Sequence, residues 1–573
     1  MVMLGLYRLI THYQLREYEN ALSRSFSCIN LKRKKTNNIN HTKMIKTTRL
    51  SLAEWPAQWP ADGLDMLVIG GGATGLGVAL HGALEKRTVA LVEARDFAAG
   101  TSSRSTKLLH GGVRYLAQGH LHLVREALRE RGVIMQLAPH LSQSLPFVVA
   151  EKNILSWLVT SLGLKLYDLL AGALRLGSTQ WLSAQTLRKL VPQIPATFAG
   201  IRYWDGQFED ARLALALAAT AQAEGAHLRN HTRVTDLTFT GQGWQVVLQD
   251  ELSGETCQLQ AKCVVNAAGV WIDPIRQRAL KDKTLADRSA VVQSIVRPSQ
   301  GVHLVVDRSV LPLQEAVLVP KTSDGRVLFA LPWLGSTLIG TTDTPRQDAP
   351  DEPRATADEL KFLFTQTRDS LGVTLRNEDV RSIWVGLRPL VSFQSDGKTA
   401  DLSREHVIVR EAQGFVSVAG GKWTTYRAMA EGVMQALVKA GDLAHGQSAH
   451  TQTHRLQGYI DPDDLPQDRL RRAPGLHLLG SYASEVAQIE GHGQVLGLGL
   501  TEAVVRFSAR HEWAVTVEDI LARRWRILFL DARLAQKLAP RVAEILQEET
   551  GIDPRLDAFM AVSQQYIFDN GES

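Results

Sequence analysis

A chain of 573 residues with 45% hydrophobic and 21% charged residues is globular in composition and too long for one core. Its net charge of +5 gathers at one end: residues 1–50 hold ten Lys or Arg against Glu17 and Glu19, leaving the rest at about −3, which excludes a nucleic-acid surface on the folded body. Cys28, Cys257 and Cys263 form no C-x-x-C pair, so neither a disulfide framework nor a cysteine zinc site is supported, and a reducing compartment suits the chain.

The basic leader has no apolar core of the secretory kind, and is expected to be either a mitochondrial transit peptide or an extension upstream of a start at Met44. Residues 1–61 read as this leader and an approach segment, partly disordered. Asp65 to Ile69 is an apolar run of buried-strand length, followed by Gly70, Gly71, Gly72 and Gly75 and then helical character. In such a turn the first glycine permits the bend, the second admits a pyrophosphate and the third lets helix and strand pack. Glu93, at the end of the apolar run Val89–Val92, stands where a carboxylate accepts hydrogen bonds from a ribose. The pattern points to a dinucleotide, without separating NAD from FAD.

Residues 97–119, rich in glycine and hydroxyls, read as a functional loop. Leu121, Val124 and Leu128 mark one face of a helix whose other face carries Arg125, Glu126, Arg129 and Glu130. Residues 153–176 are strongly apolar and suit either a buried helical hairpin or an interfacial surface anchored by Trp157 and Tyr167. No transmembrane helix is expected, because the longest uncharged stretch, 132–150, is broken by Pro139 and Pro146. A helix follows Asp205, residues 233–249 alternate as a strand pair, and 263–271 form a strand ending in a small-residue turn. Val302–Val306, Val327–Leu331 and 338–344 make a β-rich middle, with His303 pointing away from the face of Val302 and Leu304. Residues 441–475, with Pro462, Pro466 and Pro474, are the expected linker. Residues 476–573 turn helical, with a capping box at Thr516 and Asp519 and a stripe of Leu521, Trp525 and Leu528.

Strand-turn-helix at the start, the return at 263–271 and another strand-turn-helix at 416–427 frame one extended cofactor. Over roughly residues 62–540 the chain resembles the FAD-dependent glycerol-3-phosphate dehydrogenases. The motifs are IGGGATGLG (69–77), TSSRSTKLLHGGVRYL (101–116), VVNAAGVW (264–271), IGTTDT (339–344), GLRPL (386–390) and GGKWTTYR (420–427). The resemblance implies an α/β chain with a glutathione-reductase-like FAD-binding fold, an antiparallel-sheet substrate domain interleaved within 62–440, and an α-helical C-terminal cap. It also implies oxidation of sn-glycerol 3-phosphate to dihydroxyacetone phosphate, with electrons passed to a membrane quinone at a lipid bilayer surface. Along these motifs it implies cofactor contacts at Thr101, Ser102, Ser103, Gly111, Gly112, Ala268, Gly269, Gly421, Lys422 and Thr424. Arg114, Tyr115, Arg388 and Lys422 are then expected around a phosphate of about −1.5 to −2 charge. His303, which matches the family's substrate-site histidine, is expected as the base, with Arg388 beside it at the reacting end.

Gln300 departs from the pattern, since family members often carry a basic residue there. No D-x-D-x-D-G calcium loop occurs in the C-terminal section, which favours a bacterial inner-membrane enzyme on the cytoplasmic face over a calcium-regulated mitochondrial one. A glycerol-3-phosphate oxidase using O2, an amine or amino-acid oxidase, and a non-catalytic flavin-binding redox sensor are the competing readings. Homodimerisation is left open.

Overall fold

Two sheets share the chain, and the computed structural model shows how they meet. It describes residues 47, 49–60, 63–113, 116, 119–195, 197–281, 293–322, 325–391 and 406–568. All of these belong to one unit, Met44–Ser573. Residues 1–46 and 48 of the leader, Arg114 and Tyr115 lie outside the described residues.

The first sheet has a parallel centre. Strand Leu64–Ile69 lies between Thr256–Asn266 and Val89–Val92, with Phe415–Gly420 and His227–Arg229 outside them, and the antiparallel pair Thr232–Phe239 and Trp244–Asp250 flanks Thr256–Asn266. Both faces are covered, so Leu64–Ile69 is nearly all apolar and buried, and helix Ala73–Leu84 packs above it. Ile69 is level with Asn266 and with Val92, and Asn266 is level with Ser417. Register thus brings the carboxyl ends of four strands to one edge, where open α/β sheets bind ligands.

The second sheet has ten strands and is mostly antiparallel. Its longest pairing joins Val296–Asp307 to Val380–Val391, placing Ser299 opposite Arg388, Gly301 opposite Gly386 and His303 opposite Trp384. Alternation along Val296–Asp307 sends Val302, Leu304 and Val306 into an apolar cluster with Leu363 and Ile383. His303 therefore faces the other side, toward the first sheet. Gln300 belongs to the apolar-cluster side: its amide donates to Glu359 and to the Arg354 carbonyl, and its oxygen accepts from Arg346 at 2.8 Å.

The C-terminal part is helical, with Glu502–His511, Ala532–Thr550 and Leu556–Ser563 around a core including Trp525, Leu528 and Leu546. The capping box forms reciprocally, Thr516 N to Asp519 Oδ2 at 2.9 Å and Asp519 N to Thr516 Oγ1 at 3.3 Å. Leu521, Trp525 and Leu528 are buried, but they do not share one helix. Arg526 adopts a left-handed backbone (φ 63) that breaks the run before Ile527–Leu530. Residues 441–475 lie against the body through Leu443, Leu456, Leu465 and Leu470, all buried.

Three surface expectations change. Residues 154–171 form one helix, not a hairpin, and the run Ile154–Leu174 is long and apolar enough to cross a membrane by length and composition, although no such helix was expected. Leu164, Tyr167 and Ala171 pack inward while Ile154, Leu155, Leu158 and Val159 are more than half exposed. Tyr167 cannot serve as an interfacial anchor, because it is buried with its hydroxyl on Asp205 at 2.7 Å, and Asp205 is paired with Arg131. Glu130 is likewise buried on Arg427, not solvated on a polar face.

An ionic network ties the helical part to the first sheet. Asp96, three residues beyond Glu93, accepts from Arg523, Arg524 and Asn230. Asp519 Oδ2 lies 3.0 Å from His231 Nε2, and Asp519 also pairs with Arg523. Asp96, His231 and Asp519 stand close enough to hold a metal ion, yet the arginines already engage both carboxylates.

Candidate active site

A cavity of about 590 Å³ opens along the carboxyl edge of the first sheet and reaches the face of the second that carries His303. The glycine turn forms its wall. Gly70 has φ +110, and a Cβ there would lie 2.6 Å from the Ala267 carbonyl oxygen; a Cβ at Gly75 would lie 1.9 Å from the Gly70 oxygen. Gly70 thus admits the end of the neighbouring strand, and Gly75 lets the helix pack close to the first strand. Gly72 is different: it caps the helix at φ −82, and a Cβ would meet only Ser102 Oγ, at 3.0 Å, on the cavity side. Ser102 Oγ itself accepts from Ala73 N at 3.0 Å, so loop and helix start are fixed together. Glu93 lines the cavity with Oε2 on Gly71 N at 2.7 Å and Oε1 on Arg95 N at 2.9 Å. A helix N-terminus, a bare glycine surface and an oriented carboxylate fit the pyrophosphate and ribose of FAD.

Of the other expected cofactor residues, Thr101, Ala268, Gly269, Gly421, Lys422 and Thr424 line the same cavity. Thr101 is held by donating to the Leu387 carbonyl at 2.6 Å, and Trp423 Nε1 donates to the Ser102 carbonyl at 2.9 Å. Gly420 and Gly421 both have positive φ, the backbone that turns the strand end sharply into Trp423–Thr425. Gly71, Gly75, Ser103, Gly111 and Gly112 stand behind the wall. Gly111 packs on Leu128 and donates to the Tyr167 hydroxyl at 2.7 Å, while the buried Ser103 offers its carbonyl to Lys107 and Arg526.

The same cavity is lined by His303, Arg388 and Lys422. Arg388 pairs with Asp343 at 3.2 Å, donates to Thr341 Oγ1 at 3.1 Å and to the Thr342 carbonyl at 3.0 Å, and keeps about a quarter of its side chain exposed. Space for it comes from Gly301, where a Cβ would lie 2.4 Å from Nη2. His303 is buried and stacks on Trp384 with ring centroids 4.0 Å apart and 16° between planes. Its Nε2 lies 3.0 Å from Thr106 Oγ1, and Nδ1 has no hydrogen-bond partner among the described residues. Burial first, then the charges of Lys107 and Arg388, pushes the imidazole well below its ordinary pKa. The ring is therefore neutral near pH 7, as a proton acceptor must be. Gln300, on the opposite face of its strand, adds nothing to the cavity.

Thr106, His110 and Arg104 also line the cavity and were missed in the sequence. The hydroxyl-rich composition of 97–119 announced the loop, but which of its side chains turn inward depends on contacts across two sheets. Arg104 is buried on Glu352, which also receives the Tyr566 hydroxyl at 3.1 Å.

Comparison with known proteins agrees with this geometry. Residues 65–431 match the family described as FAD dependent oxidoreductase, and residues 424–556 match the C-terminal domain of alpha-glycerophosphate oxidase. The chain is 39% identical over 533 residues to the mitochondrial glycerol-3-phosphate dehydrogenase SDP6 of Arabidopsis thaliana, covering 85% of this chain and 83% of that one. It is 38% identical over 526 residues to the mitochondrial glycerol-3-phosphate dehydrogenase of Homo sapiens, covering 85% and 71%. Among solved structures, the glycerol-3-phosphate dehydrogenase of Bacillus halodurans complexed with FAD superposes with a TM-score of 0.70 at 28% identity, covering 91% of this chain and 98% of that one. The L-alpha-glycerophosphate oxidase of Mycoplasma pneumoniae shares the fold, with a TM-score of 0.53 at 20% identity over 65% and 94%.

Proposed function

Because the chain belongs to the FAD-dependent glycerol-3-phosphate dehydrogenase family, we propose that it oxidises sn-glycerol 3-phosphate at C2 to dihydroxyacetone phosphate and passes the electrons to a membrane quinone. The observation that carries the first half is the neutral His303 in one cavity with Arg388 and Lys422. Bound FAD supplies the hydride acceptor. Arg388 and Lys422 hold the phosphate as a dianion, Arg388 through a guanidinium already oriented by Asp343 and the Thr342 carbonyl. The His303 lone pair takes the C2 hydroxyl proton as the C–H bond breaks, with Thr106 orienting the ring. Arg114 and Tyr115 are assigned to the same phosphate from the sequence motif alone. Anaerobic addition of glycerol 3-phosphate to FAD-replete protein tests this reading, since it requires bleaching of the oxidised-flavin band. A FAD-replete sample that stays yellow would remove the reaction and leave the redox-sensor alternative.

Quinone as acceptor is supported by the exposed apolar face of helix Ile154–Ala171, where Leu155 is 68% exposed and Ile154 59%, with Trp181 beside it at 64%. A face of this kind suits the interface of a bilayer, where a quinone is met. The membrane of this reading is the bacterial inner membrane, with the mitochondrial inner membrane as the alternative, consistent with relatives named mitochondrial. Within this reading residues 62–440 hold cofactor and substrate, 441–475 join them to the helical part, and 476–573 form the cap. Stopped-flow reoxidation separates the acceptors: reduced enzyme must reoxidise with a quinone at the turnover rate. Matching speed with air alone would make it an oxidase.

A further inference from the structure

Lys107 is buried beside the site, and neither cofactor nor phosphate binding uses it. Its Nζ donates to Asp210 Oδ2 at 2.7 Å and to the Ser103 carbonyl at 2.9 Å, with no side-chain exposure at either Lys107 or Asp210. Burying an ammonium is unfavourable unless it is paired, and here burial pulls it down to about 8 even with Asp210 in contact. Three aromatic rings surround it, with the centroid of Trp384 at 4.6 Å, Trp333 at 5.3 Å and Phe529 at 5.8 Å. Trp384 is both the cross-strand neighbour of His303 and the ring on which His303 stacks. The residue before Lys107 is Thr106, whose hydroxyl meets His303 Nε2. Lys107 thus reaches His303 by two routes, through the chain to Thr106 and through the face of Trp384.

We propose that Lys107 is a positioning residue for His303: its ammonium, fixed on Asp210 against Trp384, holds the Thr106 hydroxyl and the stacked imidazole in place and keeps that imidazole in its proton-accepting form. The proposal rests on the reading of His303 as the base. The charged and titratable groups around the pair are Arg388 with Asp343, Lys422 and His110 on the cavity side, and Asp210, Glu209 and Arg526 on the Lys107 side. Arg526 comes from the helical part, stands 3.1 Å from Glu209 and 3.5 Å from Asp210, and donates to the same Ser103 carbonyl at 2.6 Å. Two cations therefore face two carboxylates. Removing the Lys107 charge leaves Asp210 and Glu209 facing Arg526 alone, so the local field turns negative and His303 takes up a proton more readily. The fully charged cluster disfavours protonation in the resting enzyme, and the phosphate dianion restores basicity once substrate is bound.

The test is the acid limb of kcat/KM in FAD-replete enzyme, with substrate counted as its phosphate dianion, whose second pKa is about 6, so that the remaining limb reports the free-enzyme base. Lys107→Met should move the limb toward higher pH by about half a unit to one unit, the scale of a nearby unit charge in a partly polar interior. Lys107→Gln, which can still donate to Asp210 and the Ser103 carbonyl, should show the same shift if the apolar variant folds poorly. Lys107→Arg should return the limb to its wild-type position even if kcat falls. The shift should also be seen without turnover, by titrating the imidazole resonance identified through its loss in His303→Gln. An unmoved limb in both neutral variants, with His303→Ala lacking that limb, would overturn the role of Lys107 and leave the base reading standing. Retention of the limb in His303→Ala would overturn the base reading itself.

Discussion

Substitution at Gly72 and at Gly75 should damage the protein in different ways, although both belong to one glycine motif. Gly72 has an ordinary φ of −82 and a Cβ there meets only Ser102 Oγ at 3.0 Å, so Gly72→Val is expected to cost the apo fold about 0.5–2 kcal/mol, the scale of a lost helix cap. The isopropyl group projects where a pyrophosphate must approach, and FAD should be lost. A ligand at a thousand times its Kd contributes about 4.1 kcal/mol to stability, so the variant should lack a stabilisation of that order when FAD is added. Gly75→Ala drives a Cβ to 1.9 Å from the Gly70 oxygen, backbone that cannot yield without parting strand from helix. Overpacking of this kind costs about 1–3 kcal/mol or more and should destabilise the apo protein directly. Thermal unfolding with and without FAD, together with flavin content after desalting, reads both effects. Wild-type flavin occupancy in Gly72→Val would refute the reasoning, as would an apo destabilisation equal to that of Gly75→Ala.

In the substrate end, His303→Ala should lower kcat by about 10²–10⁴-fold with FAD retained, and near-wild-type turnover would pass the base role elsewhere. Arg388→Ala should raise KM more than it lowers kcat, because an ion pair to phosphate is made in ground and transition states alike; a pure kcat defect would contradict this. The depressed pKa of His303 also bears on stability: the unfolded imidazole binds a proton below about 6.5 while the folded one does not. Its contribution is therefore complete above that pH and is lost as pH falls. Denaturant titrations of wild type and His303→Gln between pH 7 and 5 should converge toward low pH, and parallel curves would argue against it. Replacing Leu155 and Leu158 with Glu should weaken liposome binding, since carboxylates would be drawn into the acyl boundary; unchanged flotation would leave the exposed face without a lipid partner. Asp96→Asn leaves Arg523 and Arg524 without their shared carboxylate and should cost about 3–5 kcal/mol, read as a loss in unfolding free energy.

The sequence by itself determined the cofactor end. Glycine spacing, the two apolar strands and Glu93 are local features, and the physics that selects them acts within thirty residues: a tight turn, a helix start and a carboxylate at the next strand end. Alternation along Val296–Asp307 is equally local, which is why the strand pattern alone sets His303 on the face opposite Val302 and Leu304. Charge division along the chain separates a basic leader from a nearly neutral body for the same reason. What tertiary structure decided were meetings between distant segments. The stacking of His303 on Trp384 depends on antiparallel register across 81 positions, and burial of Lys107 depends on Asp210 and Arg526 arriving from two other parts of the fold. Hydrophobic spacing assigns Leu521, Trp525 and Leu528 to one helical face, but Arg526 breaks the helix to reach Glu209. The same limit applies to Glu130, expected on a polar face, and to Tyr167, for which the sequence left a buried and an interfacial place open; both are buried because Arg427 and Asp205 partner them there. A hydrophobic pattern reports which side of an element avoids water; it carries no record of which buried charge another element will bring to meet it.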